Sequence, residues 1–162
     1  MLLPLPHDPA PRAPALGAGH PDGAHEGMVL EDSDTLPWSA RSQQIEVVAV
    51  MQTGTAAKIS LELCGGAVTV AYADRAVDVC GSVAPVQRVG ELKLHLFWDR
   101  SVLEVFVNDG ESMVTRVVYV EDLSDLMACI RVEGGSATVE ALQCWEMMPI
   151  WDADEPAAVA KL

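Results

Sequence analysis

The sequence predicts an all-β fold, an antiparallel two-sheet β-sandwich, and three observations point there. Apolar residues recur at every second position in run after run, the mark of half-buried strands. Short Gly-, Asn- and Asp-containing breaks separate the runs at hairpin spacing. Half of the residues are hydrophobic but only 5% are aromatic, so the core must rest on the Val, Leu, Ile and Ala that suit pleated surfaces.

The elements follow in order. Residues 1–35 hold six of the ten prolines and three of the four histidines, His7, His20 and His25, without apolar periodicity. Such a stretch buries too little surface to offset ordering and is expected to be a disordered tail. The first expected strand is Ile45–Met51. Ile59, Leu61 and Leu63 then alternate with polar residues, as do Val68, Val70 and Tyr72 after Gly65-Gly66. Read as a hairpin, this sets Leu63 opposite Val68, Leu61 opposite Val70 and Ile59 opposite Tyr72, with every apolar residue on one face.

A second hairpin is expected in Glu91–Val120. With Asp99-Arg100 as its turn, Leu96 faces Leu103, Leu94 faces Val105 and Leu92 faces Val107. The other face then pairs His95 with Glu104 and Lys93 with Phe106. Asn108-Asp109-Gly110 signals a tight turn into a strand over residues 112–120. A last hairpin is expected around Gly134-Gly135, joining residues 127–132 to 137–145. The count is about eight or nine strands, and the dissimilar hairpins do not indicate a propeller.

Charge and cysteine usage narrow the function classes. A net charge of −14, from 24 acidic and 10 basic residues, repels phosphate backbones and anionic membranes, so neither nucleic acid nor membrane is an expected partner. Cys64, Cys80, Cys129 and Cys144 form no C-x-x-C pair, so no zinc or other metal site is expected. They read as small buried hydrophobes. The first residues lack a basic start and a sustained apolar run, unlike a signal peptide. The closing Ala160-Lys161-Leu162 has the small-basic-Leu form of a peroxisomal address. With Met1 as the true start the expected location is the cytosol or such an organelle. With an upstream extension of the frame it is secretion.

The string from Leu94 to Tyr119 resembles the signature hairpin of the C-terminal β-sandwich of family 32 glycoside hydrolases, the invertases, levanases and other β-fructosidases. The matching positions are Phe97, Asp99, Ser101, Glu104, Phe106, Asn108, Gly110, Thr115 and Tyr119, in unbroken spacing, with Trp145 at the family's closing Trp. The resemblance implies a concanavalin A-like, jelly-roll sandwich over residues 36–150. The acidic stretch 151–162 beyond it is expected to be a frayed tail. It also implies that chemistry belongs to a separate β-propeller. Retaining glycosidases need two carboxyl groups about 5 Å apart. In the family these lie in Trp-x-Asn-Asp-Pro-Asn and Glu-Cys motifs, helped by Arg-Asp-Pro, and all three motifs are absent here.

No catalytic residue and no cofactor is therefore assigned. Asp99, Ser101 and Glu104 are expected in turn and cross-strand roles, and Arg100 and Arg116 in ion pairs at an interface. Phe97 and Phe106, on a nominally outer face, call for cover by the second sheet or by a neighbour. The expected function is that of a non-catalytic accessory module of a β-fructosidase, with a propeller domain or a homologous subunit as partner. The alternatives are a free-standing sugar-binding module that meets sucrose or fructan through Trp98, and a structural remnant without a ligand.

Overall fold

In the computed structural model the described residues are 25–40 and 42–147. They form two six-stranded antiparallel sheets and one 3-10 turn, Cys64–Gly66. The strands are β1 (His25–Leu30), β2 (Thr35–Ser39), β3 (Gln44–Gln52), β4 (Lys58–Leu63), β5 (Val68–Ala73) and β6 (Ala76–Val79). They continue with β7 (Ser82–Pro85), β8 (Glu91–Asp99), β9 (Val102–Val107), β10 (Ser112–Val117), β11 (Met127–Glu133) and β12 (Ala137–Glu146). Sheet A runs β1-β12-β3-β8-β9-β10 and sheet B runs β2-β11-β4-β5-β6-β7.

Alternation decides what lies between the sheets. In β3 the buried positions are Ile45, Val47, Ala49 and Met51, and in β8 they are Leu92, Leu94, Leu96 and Trp98. These strands pair over their whole length, from Gln44 opposite Asp99 to Gln52 opposite Glu91. Sheet B meets them with Leu61, Leu63, Val68, Val70, Ile130 and Val132, all essentially unexposed. Each such side chain contributes about 1.5–3 kcal/mol on burial. The sandwich thus rests on close-packed aliphatics, with Trp38 and Trp98 as its large inward rings.

The first hairpin keeps its expected register, with Leu63 opposite Val68, Leu61 opposite Val70 and Ile59 opposite Tyr72. Its connection is longer than two glycines, because the 3-10 turn at Cys64–Gly66 carries the chain round to Ala67.

Three other expectations are corrected. The second hairpin turns one residue later, at Arg100-Ser101, which moves every partner by two: Asp99 pairs with Val102, Trp98 with Leu103, Leu96 with Val105 and Leu94 with Val107. A turn at Asp99-Arg100 would set Trp98 against Ser101, whereas the observed register packs it against Leu103 inside the core. A slip of two preserves the faces, so only the partners change. Glu104 therefore lies opposite Phe97, and His95 opposite Phe106.

Residues 127–132 and 137–145 are not a hairpin. β11 belongs to sheet B and β12 to sheet A, so Gly134-Gly135 carries the chain from one sheet to the other. The 53–57 loop packs against this crossing, with Thr55 N–H donating to Ser136 O at 2.9 Å and Ala57 N–H to Glu133 O at 3.0 Å. A Cβ on Gly135 would stand 2.3 Å from the Thr55 carbonyl oxygen, so only glycine fits.

The N-terminal boundary also moves. β1 and β2 lie wholly or partly before residue 36, where the sandwich was expected to begin, and both pair with interior strands. His25 opens β1. The tail expected over residues 1–24, with His7 and His20, and the acidic tail with Ala160-Lys161-Leu162, within 148–162, fall outside the described residues.

Candidate interface

The turns of the β8–β9–β10 meander fix the outward residues of sheet A. After Val107 the chain turns through three successive left-handed residues, Asn108 (φ 48°), Asp109 (φ 61°) and Gly110 (φ 97°). Asn and Gly tolerate this conformation best. Asn108 is almost fully buried, and it binds β8 from both sides: its N–H donates to Lys93 O at 2.8 Å, and its Oδ1 accepts from Lys93 N–H at 2.9 Å. Its Nδ2 donates to Glu111 Oε2 at 3.1 Å.

The Glu111 carboxylate also accepts from the backbone N–H groups of Gln87 and Arg88, beyond the end of β7. The Gln87 bond first, then that from Asn108, holds the Glu111 pKa below its ordinary value. Ser112 Oγ donates to Pro85 O at 2.6 Å. The turn thus clamps the edge of sheet A to the edge of sheet B. Beside it the Lys93 ammonium meets the Asp109 carboxylate and holds that group's pKa down as well.

At the other end, Arg100 takes φ 56° and its N–H donates to Gln43 O at 2.9 Å. Asp99 Oδ1 accepts from Gln44 Nε2 at 3.1 Å, and Ser101 O accepts from Val118 N–H at 2.7 Å. Asp99, Arg100 and Ser101 are turn residues that tie β8 to its neighbours through these bonds. No ion pair of Arg100 or Arg116 is found among the described residues, and Arg116 Nε is buried without a hydrogen-bond partner.

Between these turns the outward residues of sheet A fall into rows. One row crosses five strands: Thr115, Glu104, Phe97, Glu46 and Trp145 stand opposite one another in turn. The next contains Met113, Phe106, His95, Val48 and Gln143. A third runs Val117, Val102, Asp99, Gln44. Four family-motif positions, Phe97, Glu104, Phe106 and Thr115, thereby share one surface, and Tyr119 lies just past β10, 81% exposed.

The rings at the centre pack on each other. His95 and Phe97 lie 4.5 Å apart between centroids, and Phe97 meets Phe106 edge-on at 6.1 Å. His95 Nε2 bonds Glu46 Oε1 at 2.7 Å, in place of the expected partner Glu104. The second sheet does not cover this face, since it packs against the opposite, aliphatic one.

Two tryptophans of sheet A lie on opposite sides of it, and Trp98 is not where a sugar contact requires it. Trp98 has the parity of Leu92, Leu94 and Leu96, so it points inward and is 1% exposed. It offers no platform to a sugar. Trp145, at the family's closing Trp position, lies outward and half-buried opposite Glu46. Glu46 and Glu111 escaped notice in the sequence. Glu46 was legible from the parity of β3, whereas Glu111 becomes visible only once residues 87–88 are placed beside it.

Among the described residues no three His, Cys, Asp or Glu side chains are grouped to hold a metal ion. Of the four cysteines, Cys64 and Cys144 are buried and Cys80 and Cys129 partly so.

Comparison with known proteins gives a consistent picture. The chain resembles an exo-inulinase of Aspergillus awamori, with a TM-score of 0.66 and 17% identity, over 83% of this chain and 30% of that one. It also resembles a fructan 1-exohydrolase of Cichorium intybus, with a TM-score of 0.56 and 13% identity, over 77% and 35% respectively. A galectin of Caenorhabditis elegans aligns with a TM-score of 0.50 and 16% identity, over 72% of this chain and 94% of the galectin. These likenesses concern the fold, and the chain spans about a third of the length of the two fructan-degrading enzymes. A search of curated protein sequences finds no match. The family model for the C terminal of glycosyl hydrolases family 32 matches residues 27–146, which takes in both sheets almost completely. The chain belongs to the glycosyl hydrolase family 32 C-terminal domain family.

Proposed function

We propose that this chain is the non-catalytic accessory module of a β-fructosidase-like glycoside hydrolase, and that the outward face of sheet A docks on the propeller domain or on a homologous subunit. One observation carries the reading: Phe97, Phe106, His95 and Trp145 form a half-buried patch on an uncovered sheet face, edged by exposed Met113, Val117 and Tyr119. Exposed contiguous apolar surface marks interaction sites, and aromatic anchors dominate their energetics. The motif residues around the patch act as its frame, with Asp99, Arg100, Ser101, Asn108 and Gly110 shaping the two turns. Sucrose and fructans are then substrates of the partner's active site.

The test has two arms. The pure chain is incubated with sucrose and inulin, and it is also co-produced with a family 32 catalytic propeller carried on a separate chain. The expected outcome is no fructose release by the pure chain, and co-purification with the propeller that Phe97→Asp or Phe106→Asp abolishes. Fructose release by the pure chain, or co-purification indifferent to both substitutions, overturns the proposal.

A further inference from the structure

The outward face of sheet B carries a groove unrelated to the aromatic patch. Outward parity in β11 presents Cys129 and Arg131. Across β4 stands Glu62, opposite Cys129, and across β2 stand Pro37, also opposite Cys129, and Thr35, opposite Arg131. The Gly65-Gly66 turn and Met127 close one end, leaving about 290 Å³. That is close to the lower limit, about 300 Å³, for small-molecule sites. A Cβ at Gly66 would stand 3.8 Å from Glu62 Oε2, so the turn borders the carboxylate at contact distance.

The polar groups are arranged as donors and acceptors side by side. Arg131 Nε donates to Glu62 Oε1 at 3.2 Å, and Cys129 Sγ–H donates to Glu62 Oε2 at 3.6 Å. The bond to Glu62 raises the Arg131 pKa, which keeps the guanidinium charged. Burial, then the Glu62 charge, pushes the Cys129 thiol up, so it stays a neutral donor. The terminal N–H groups of Arg131 make no other hydrogen bond among the described residues.

This pairing selects against charge. An anion approaching Arg131 meets Glu62 beside it, on a chain of net charge −14, and a cation approaching Glu62 meets Arg131. A neutral ligand with adjacent hydroxyls suffers neither repulsion, because one hydroxyl donates to a carboxylate oxygen while its neighbour accepts from the guanidinium. The apolar side chains of Pro37 and Met127 suit the C–H face of such a ligand. We propose that this groove is a binding site for a neutral polyhydroxyl ligand of mono- or disaccharide size, held between Glu62 and Arg131. The site lies on the sheet opposite the docking face and does not depend on docking.

The test is an amide NMR titration of the full chain, with sucrose as one probe and inorganic phosphate as the other. Sucrose is expected to shift Gly65, Gly66, Cys129 and Arg131 saturably, with weak affinity in keeping with an open groove. Arg131→Ala and Glu62→Gln should each raise the Kd roughly tenfold, as for loss of a hydrogen bond to a charged group. Phe97→Asp should leave the titration unchanged, so failure here and failure of the docking proposal are separable. Should Arg131→Ala not fold, Glu62→Gln decides. Non-saturating shifts, shifts centred elsewhere, affinity unchanged in the variants, or phosphate binding as tight at the same residues would each overturn the proposal.

Discussion

The two outward faces of the sandwich are built on the same pleat and have opposite chemistry. Sheet A shows Phe97, Phe106, His95, Val48 and Trp145 across its central strands. Sheet B shows Thr69, Ala71 and Ala73 on β5, with Glu62, Ser60 and Lys58 opposite them on β4. Its charges are paired locally, Arg131 with Glu62 and Lys58 with Glu133 at 3.4 Å. Inward, the two sheets are nearly interchangeable aliphatic surfaces. Alternation therefore dictates that a sandwich forms, while the residues that alternation leaves outside decide what each side of it can meet. A face of large rings gains from being covered by another protein. A face of small residues and paired charges gains little from that and suits water or a polar ligand.

The sharpest way to break this comparison is through the tryptophans, because their sidedness underlies it. Trp98→Ala opens a cavity between the sheets and is expected to cost about 3–5 kcal/mol, seen as a lowered midpoint in chemical denaturation. Trp145→Ala removes an outward, half-buried ring and should cost clearly less, about 1 kcal/mol. Equal losses would mean that the two rings are not on opposite sides of sheet A.

Next in size is the clamp that joins the faces at their shared edge. Asn108→Ala removes the acceptor for Lys93 N–H and a donor to Glu111, and leaves a buried amide unpaired. A loss of about 1–3 kcal/mol is expected in the same measurement. Asn108→Asp should recover part of it, since the acceptor to Lys93 N–H is retained. A smaller contrast comes from Phe97→Ala, which should lower the chain's own stability by only about 1 kcal/mol while weakening partner capture strongly. Comparable effects on both would make Phe97 a folding residue rather than a docking one.

Much of this was legible in the sequence, for a physical reason. Period two survives any even slip in register, so the inward sets of β4, β5, β8 and β9 were correct even where the turn was placed one residue early and the pairing slipped by two. What parity cannot carry was lost. Trp98 continues the inward series of β8, yet its place beside a turn suggested exposure. Gly134-Gly135 has hairpin composition, and nothing local reveals that the strands it joins belong to different sheets. β1 is short, with Gly27 interrupting its pattern, so it read as tail, and β2, interrupted by Pro37, gave no strand signal. The groove was invisible because it gathers Thr35, Glu62 and Arg131 from three separate segments. The aromatic patch was half legible, since Phe97 and Phe106 share a motif while Glu46 and Trp145 join them only through pairing.

The smallest expected effect tests the edge clamp through pH. Bonds from Gln87 N–H and the Asn108 side chain hold Glu111 below its ordinary pKa of 4.5 in the folded chain. A carboxyl group whose pKa is lowered on folding adds stability above its unfolded pKa, and that stability is lost as pH falls through the folded value. Stability should therefore decline on acidification below about 4.5 as Glu111 takes up a proton. Asp109, lowered by Lys93, acts in the same direction. Both groups are exposed, so the contribution of each is modest and screened by salt. Glu111→Gln should flatten this part of the profile in thermal melts between pH 3 and 6 without changing the melting point's order among the core variants. If the acid limb is as steep in Glu111→Gln as in the unaltered chain, the edge of sheet A is not held to residues 87–88 by this carboxylate.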